Sequence, residues 1–266
     1  QAEGLVSIGI VSARGAVQGP LPKERGSYAV SLRRTYFDPI LTVMRETQDI
    51  DLPNYYFYDG NGKLNFDIND KTTLSVAGYL GKDDLLFEFG TDENRSAFSL
   101  EWGNQTFTSR LRHVLSRNMF LSVGASYSRY LSKWYFENSG IKLEDSYDRL
   151  EDISLKSDLE IMGGLAHRIK TGIWISRYQF RLKITNDEAT IVDIDEPVQN
   201  YSAYIQDTWR ISELFEFRPG IRAYFHDVGD YFMVDPRLAF VYHYDRTKRF
   251  KIAAGKYSQF VHVISF

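Results

Sequence analysis

Tyr201-Ser202-Ala203-Tyr204-Ile205-Gln206-Asp207-Thr208-Trp209-Arg210-Ile211 is the stretch that decides the fold class. Tyr201, Ala203, Ile205, Trp209 and Ile211 fall on one side of an extended chain; Ser202, Tyr204, Gln206, Thr208 and Arg210 fall on the other. A helix would scatter those apolar side chains around its circumference, whereas a strand collects alternate residues on one face. The stretch reads as a strand. Working outward, Phe217, Ile221, Ala223 and Phe225 oppose Glu216, Arg218, Arg222 and Tyr224, and Phe250, Ile252 and Ala254 oppose Arg249, Lys251 and Ala253. Upstream, Ile153, Leu155, Leu159 and Ile161 oppose Ser154, Lys156, Asp158 and Glu160, and Leu64, Phe66 and Ile68 oppose Lys63, Asn65, Asp67 and Asn69. The phase slips around Gly103–Phe107 and Ser176–Tyr178, each read as a bulge that flips the facing of the residues after it.

The connections carry the second signal. Short polar turns are expected near Pro22–Gly26, Asn69–Lys71, Ser116–Asn118, Met162–Ala166, Ser212–Leu214 and Asp245–Lys248. Longer loops are expected between them, at Pro39–Asn54, Lys82–Ser96, Lys133–Arg149, Asn186–Gln199 and Asp227–Asp235. Strict alternation of short and long is the pattern of a membrane barrel, tight on the periplasmic side and extended outside the cell. This parse gives about twelve strands, many longer than the ~9–11 residues that cross a tilted span. A soluble sandwich or propeller also alternates, but its strands run ~5–6 residues and its polar rows are less densely charged. The fold class expected is all-β: an antiparallel up-and-down transmembrane β-barrel.

Composition agrees. Tyr and Phe, 18 of each among 266 residues with only 7 Pro, suit pleated strands. A net charge of −3 gives no nucleic-acid footprint. With no Cys, disulfide scaffolds, thiolate metal sites and cysteine nucleophiles are excluded. No apolar run approaches the ~18–20 residues of a transmembrane helix, and a negative mean hydropathy is compatible with a barrel, which shows lipid only every second side chain. Gln1-Ala2-Glu3-Gly4 does not open a signal peptide, so the expectation is that a leader was removed or that the chain starts inside a longer protein.

Several segments resemble the TonB-dependent outer-membrane receptor family, particularly of the Bacteroidetes-like kind. They are Gly19-Pro20-Leu21 with Gly26-Ser27-Tyr28-Ala29-Val30-Ser31-Leu32-Arg33-Arg34-Thr35-Tyr36, then Tyr201 to Trp209, then Arg218-Pro219-Gly220-Ile221-Arg222, then Asp235-Pro236-Arg237-Leu238-Ala239-Phe240, then Ala254-Gly255-Lys256-Tyr257-Ser258-Gln259. Their order is more specific than any one of them. Members have ~22 strands around a plug, so the resemblance implies that residues 1–266 are a partial barrel domain, about twelve strands of a larger barrel, without the plug. It implies active uptake of a scarce nutrient (a siderophore, a cobalamin-like compound or a glycan) in the bacterial cell outer membrane, with lipid, lipopolysaccharide, the TonB complex through the plug, and the nutrient as partners. The alternative is a complete small barrel acting as a passive pore, export channel or outer-membrane enzyme. That alternative rests on the terminal Phe266, which shares a face with Phe260 and Ile264.

Catalytic chemistry is not expected. Gly60-Asn61-Gly62 reads as a break or bulge in a strand and not as a phosphate loop, and no Gly-x-Ser-x-Gly elbow appears. His113, His167, His226, His243 and His262 lack metal-ligand spacing and read as lumen or girdle residues. Asp83-Asp84 reads as solvated loop charge, and Asp187, Glu188, Asp193, Asp195 and Glu196 read as a solvated or lipopolysaccharide-bridging loop, for which binding of a divalent cation or a basic ligand group is the sharper alternative. Tyr55, Tyr56, Trp134, Tyr135 and Phe136, near outer strand ends, are girdle aromatics or ligand-stacking residues. Lys156, Asp158, Glu160, Arg210, Arg218 and Arg222 are expected to face the lumen. No cofactor is expected.

Overall fold

The computed structural model describes residues 1–48, 51–91, 94–187, 189–245 and 247–258. These form thirteen strands: β1 (Glu3–Ile8), β2 (Ser12–Pro20), β3 (Gly26–Thr35), β4 (Asn54–Asn69), β5 (Thr72–Thr91), β6 (Asn94–Ser116), β7 (Met119–Asn138), β8 (Ile141–Gly163), β9 (His167–Asn186), β10 (Ala189–Arg210), β11 (Phe215–His226), β12 (Tyr231–His243) and β13 (Arg249–Gly255). One helix, α1 (Phe37–Gln48), lies between β3 and β4. Strand order in the sheet is the order in the chain, antiparallel and up-and-down throughout. Among the described residues no helix is long and apolar enough to cross a membrane. Phe260, His262, Ile264 and Phe266 lie outside the described residues, as do Gln259 and Glu188.

The extra strand comes from a reversal at Gly9–Val11, where the Gly9 amide donates to the Ser12 carbonyl at 2.8 Å. Ile10 and Val11 carry no turn chemistry, so the sequence suggests one strand where β1 and β2 pair. The six short turns fall where expected. The long connections do not. Apart from α1, most are strand continuations: β7 and β8 meet across Ser139 and Gly140, with φ of 50° and 78°, and β9 runs to Asn186 before β10 begins at Ala189. A hairpin standing in water keeps its backbone ladder with polar residues on both faces, so the alternation fades while the strand persists.

Contacts divide the chain into two compact units: Gln1–Arg110 with Ala125–Ile153 and Arg177–Pro197, and Leu111–Gly124 with Ser154–Ser176 and Val198–Phe266. In the first, Tyr28 pairs with Leu64 and Leu64 with Val76, while Leu32 pairs with Gly60 and Gly60 with Leu80. Residues paired across a ladder share a face, so these form an apolar face. The opposite face is a polar ladder: Asn61 donates to Ser31 at 2.9 Å, Ser75 to Asn65 at 2.8 Å and Thr73 to Asp67 at 2.8 Å. Gly60 and Gly62 stay in register and form no bulge. A Cβ on Gly60 would come within 2.8 Å of Leu32 Cδ2, so the glycine makes room for its large neighbour. A register shift does occur at Asp67/Asn69, beside the turn.

In the second unit, Ile205 pairs with Ile221 and Tyr201 with Phe225 on one face, and Tyr204 with Arg222 and Arg210 with Glu216 on the other. The apolar faces meet no protein interior. Leu32 is 64% exposed, Leu155 49%, Ile205 51% and Ile252 77%, while Val241 is the only buried apolar residue among those described. Among the described residues no apolar core forms, and the apolar faces stay exposed as broad patches.

Candidate functional site

Towards the long-hairpin end of the first unit, the polar face becomes aromatic. Tyr55 pairs with Leu85 and Tyr56 with Asp84, so two adjacent tyrosines point to opposite faces. Tyr55 takes the face of Asn61 and Lys63 and meets Phe37 at 6.3 Å, Phe57 at 6.2 Å and, stacked, Trp102 at 6.3 Å between ring centroids. Its hydroxyl donates to Asp83 at 2.7 Å. Arg33 lies 4.7 Å over the Phe57 ring and pairs with Asp59 at 2.6 Å. Phe98, four residues from Trp102 on β6, meets Trp134 at 6.4 Å.

Two of the other three aromatics expected here, Tyr56 and Tyr135, sit differently. Tyr56 lies beneath Arg34 at 5.5 Å and donates to Asp84 at 3.2 Å, near the Lys82–Glu101 pair at 2.7 Å. Tyr135 lies beneath Lys142 at 5.1 Å. Asp83 and Asp84 are therefore not loop charge: they lie within β5, and each accepts a tyrosine hydroxyl on its own side. Phe37, Phe57, Phe98, Trp102 and Arg33 are not singled out by the sequence reading. Their signal is present as period-two aromatics at Tyr55 and Phe57 and the even spacing of Phe98 and Trp102, just past the expected loops Pro39–Asn54 and Lys82–Ser96.

In the second unit Lys156, Asp158, Glu160, Arg210, Arg218 and Arg222 lie on the face of Tyr204. Asp158 accepts the Tyr204 hydroxyl and sits 3.4 Å from Lys156; Glu160 takes Arg168 at 2.6 Å; Arg218 binds Glu216, the residue paired with Arg210. Gly172 is required beneath this group: a Cβ would lie 2.7 Å from Asp158 Oδ1, Ser157 O and Tyr204 Cε1. Asp207 occupies the apolar row and is met there by His167 at 2.6 Å, whose ring stacks on Trp209 at 5.4 Å.

Among the described residues the acidic stretch brings no three carboxylates together. Asp193, Asp195 and Glu196 belong to β10, where neighbours alternate faces, and among the described residues no three acidic or histidine side chains converge. Asp195 is engaged by Arg181 and Gln179, both at 2.8 Å, and these hold its carboxyl below the ordinary 3.8. A depressed carboxyl contributes stability above its unfolded pKa and loses it as pH falls through the lower folded value. The β9–β10 tip should therefore loosen below about pH 4. Faster acid-side exchange of the Asp187 amide, which donates to Leu143 O, would report this; an Asp195→Asn protein should show no such pH step.

No family model matches the sequence, and no curated protein matches it. Solved structures do. FpvA of P. aeruginosa, bound to a pyoverdine–iron complex, superposes with a TM-score of 0.67 at 14% identity, covering 92% of this chain and 40% of that one. The ferric enterobactin receptor of Pseudomonas aeruginosa gives 0.62 at 11%, covering 92% and 41%. The copper transporter OprC gives 0.64 at 9%, covering 92% and 42%. The likeness is of fold: the antiparallel up-and-down sheet of outer-membrane β-barrels. The chain spans about two fifths of the length of these structures.

Proposed function

We propose that this chain is barrel wall and part of the ligand surface of an outer-membrane receptor for TonB-dependent uptake of a scarce nutrient. One observation carries the reading. Opposite an exposed apolar face, one face of the first unit runs from a polar ladder into an aromatic cluster of Tyr55, Phe57, Trp102 and Phe37. On this reading the apolar faces meet acyl chains, the polar faces line the lumen, and the aromatic end meets ligand arriving from outside. Lys156, Asp158, Glu160, Arg210, Arg218 and Arg222 then line the passage. Arg34, Tyr56, Lys82 and Tyr135, on or beside the apolar side above its apolar rows, meet lipopolysaccharide headgroups. Energy coupling through TonB and a plug is implied by the family resemblance. Nothing is chemically converted.

Stacked, part-buried rings favour a ligand with planar or aromatic parts, so an iron–siderophore chelate is preferred over a glycan or a cobalamin-like compound. Ferric enterobactin, ferric pyoverdine, cobalamin, copper(II) and a maltooligosaccharide should be titrated against the tryptophan fluorescence of the detergent-folded protein. Trp102→Ala and Tyr55→Ala should each weaken the bound probe at least ~10-fold. If both variants bind like the parent, the aromatic cluster is not the ligand surface. Uptake that persists in cells lacking TonB, or steady conductance of the protein in planar bilayers, would replace this reading with a passive barrel.

A further inference from the structure

The polar face of the second unit, which carries Arg218 and Arg222, also holds a break in its ladder. The β10–β11 register runs without a break from Asn200↔His226 to Gln206↔Gly220, then skips to Trp209↔Phe217. The interruption falls at Arg218-Pro219. Proline has no amide hydrogen to give the ladder and is rare within a paired strand. A recess of about 230 Å³ opens there, lined by Gln206, Thr208, Arg218, Gly220, Arg222 and Arg237. Asp207 borders it from the apolar side, where His167 engages it.

Arg222 and Arg237, both in its lining, bring their guanidinium groups to one atom beside it. Arg222 Nη1 and Arg237 Nη2 each lie 3.5 Å from the same atom, the Tyr224 hydroxyl oxygen, at the stretched limit of a hydrogen bond. Both are pinned by rings: Arg222 lies 4.9 Å over Tyr204 and 5.6 Å over Tyr224, and Arg237 4.4 Å over Tyr257. The neighbouring carboxylates are already engaged. Glu216 binds Arg218, and Asp235 accepts the Ser258 amide and hydroxyl, both at 2.9 Å, with Arg237 at 3.9 Å. Arg222 has no carboxylate within ion-pair distance among the described residues, and Arg237 Nε is buried without a partner. Two like charges thus share one neutral oxygen, at long range, in planar donor forks that suit a carboxylate.

We propose that this recess is an anion site in which Arg222 and Arg237 clamp a carboxylate group, with Gln206 and Thr208 as further polar contacts. The carboxylate belongs either to a free small acid or to an acidic side chain of a polypeptide lying on this face. The clamp is independent of the aromatic cluster and stands whether or not that cluster binds a nutrient.

The test is calorimetric titration of the detergent-folded full chain with citrate and, separately, with a blocked tetraglutamate peptide. Saturable one-to-one binding is expected, weakened at least ~10-fold by Arg222→Gln and by Arg237→Gln. Arg168→Gln, on the same face but already bound to Glu160, should leave the affinity unchanged. Tighter binding of the peptide identifies a polypeptide side chain as the occupant, and tighter binding of citrate identifies a free acid. If a glutamine variant does not fold, as judged by heat-dependent gel mobility, Arg222→Lys and Arg237→Lys replace it. These keep the charge without the fork and should still lose affinity. No saturable binding by either probe, or parental affinity in the Arg222 and Arg237 variants, overturns the proposal.

Discussion

Arginine in place of Leu155 or Ile205 should lower the unfolding free energy in lipid vesicles by about 2–4 kcal/mol. Both side chains stand on the apolar face, half exposed at 49% and 51%, with no protein layer to receive them. In a bilayer that exposed surface meets acyl chains, where a guanidinium must either lose its hydration or distort the lipid around it. Lys156→Leu and Arg210→Leu, close to these positions in the chain but on the opposite face, should cost much less, because they remove charge from a wet, mutually paired surface. Urea unfolding followed by tryptophan fluorescence measures both classes. Equal costs for the two would mean that the facing, and with it the membrane reading, is wrong.

Asp235→Ala should be the most damaging change on the polar face, by about 2–3 kcal/mol. Asp235 is fully buried at 0% exposure, and its carboxylate accepts two hydrogen bonds from Ser258 at 2.9 Å. Alanine would leave the Ser258 donors without their acceptor and Arg237 without its nearest counter-charge, and each loss carries a desolvation cost not recovered elsewhere. Asp235→Asn keeps an acceptor oxygen and should recover part of the loss. The Ser258 amide, which tethers the chain just after β13, should exchange faster in the alanine protein. An alanine variant with the parental urea midpoint would show that this buried carboxylate does not hold the end of the sheet.

How far the strands run was only partly legible. Between Leu155 and Ile161, or Tyr201 and Ile211, one side of the chain must be apolar, so alternation is enforced and visible. From Lys133 to Arg149 neither face is required to be apolar, and the hairpin looks like loop in sequence although its backbone is extended strand on both sides of the Ser139-Gly140 turn. The same absence of an enforced face hid the reversal at Gly9–Val11, whereas Gly60-Asn61-Gly62 looked like a bulge because the side chain that Gly60 makes room for, Leu32, lies on another strand. Asp83 and Asp84 looked like solvated charge because nothing local announces that each meets a tyrosine from β4.

The sequence by itself determined the fold class, the places of the short turns, and the alternation that sets Lys156 and Arg210 on the side away from Leu155 and Ile205. A period of two is a local property of the chain, and relative facing is a direct consequence of it. What only the tertiary structure decided is which side chains meet across strands. Tyr55 stacks on Trp102, far along the chain, because β4, β5 and β6 lie side by side. Arg222 and Arg237 converge on Tyr224 because β11 and β12 pair in one particular register. Register depends on every turn and ladder bond between two strands at once, so no short window of sequence contains it.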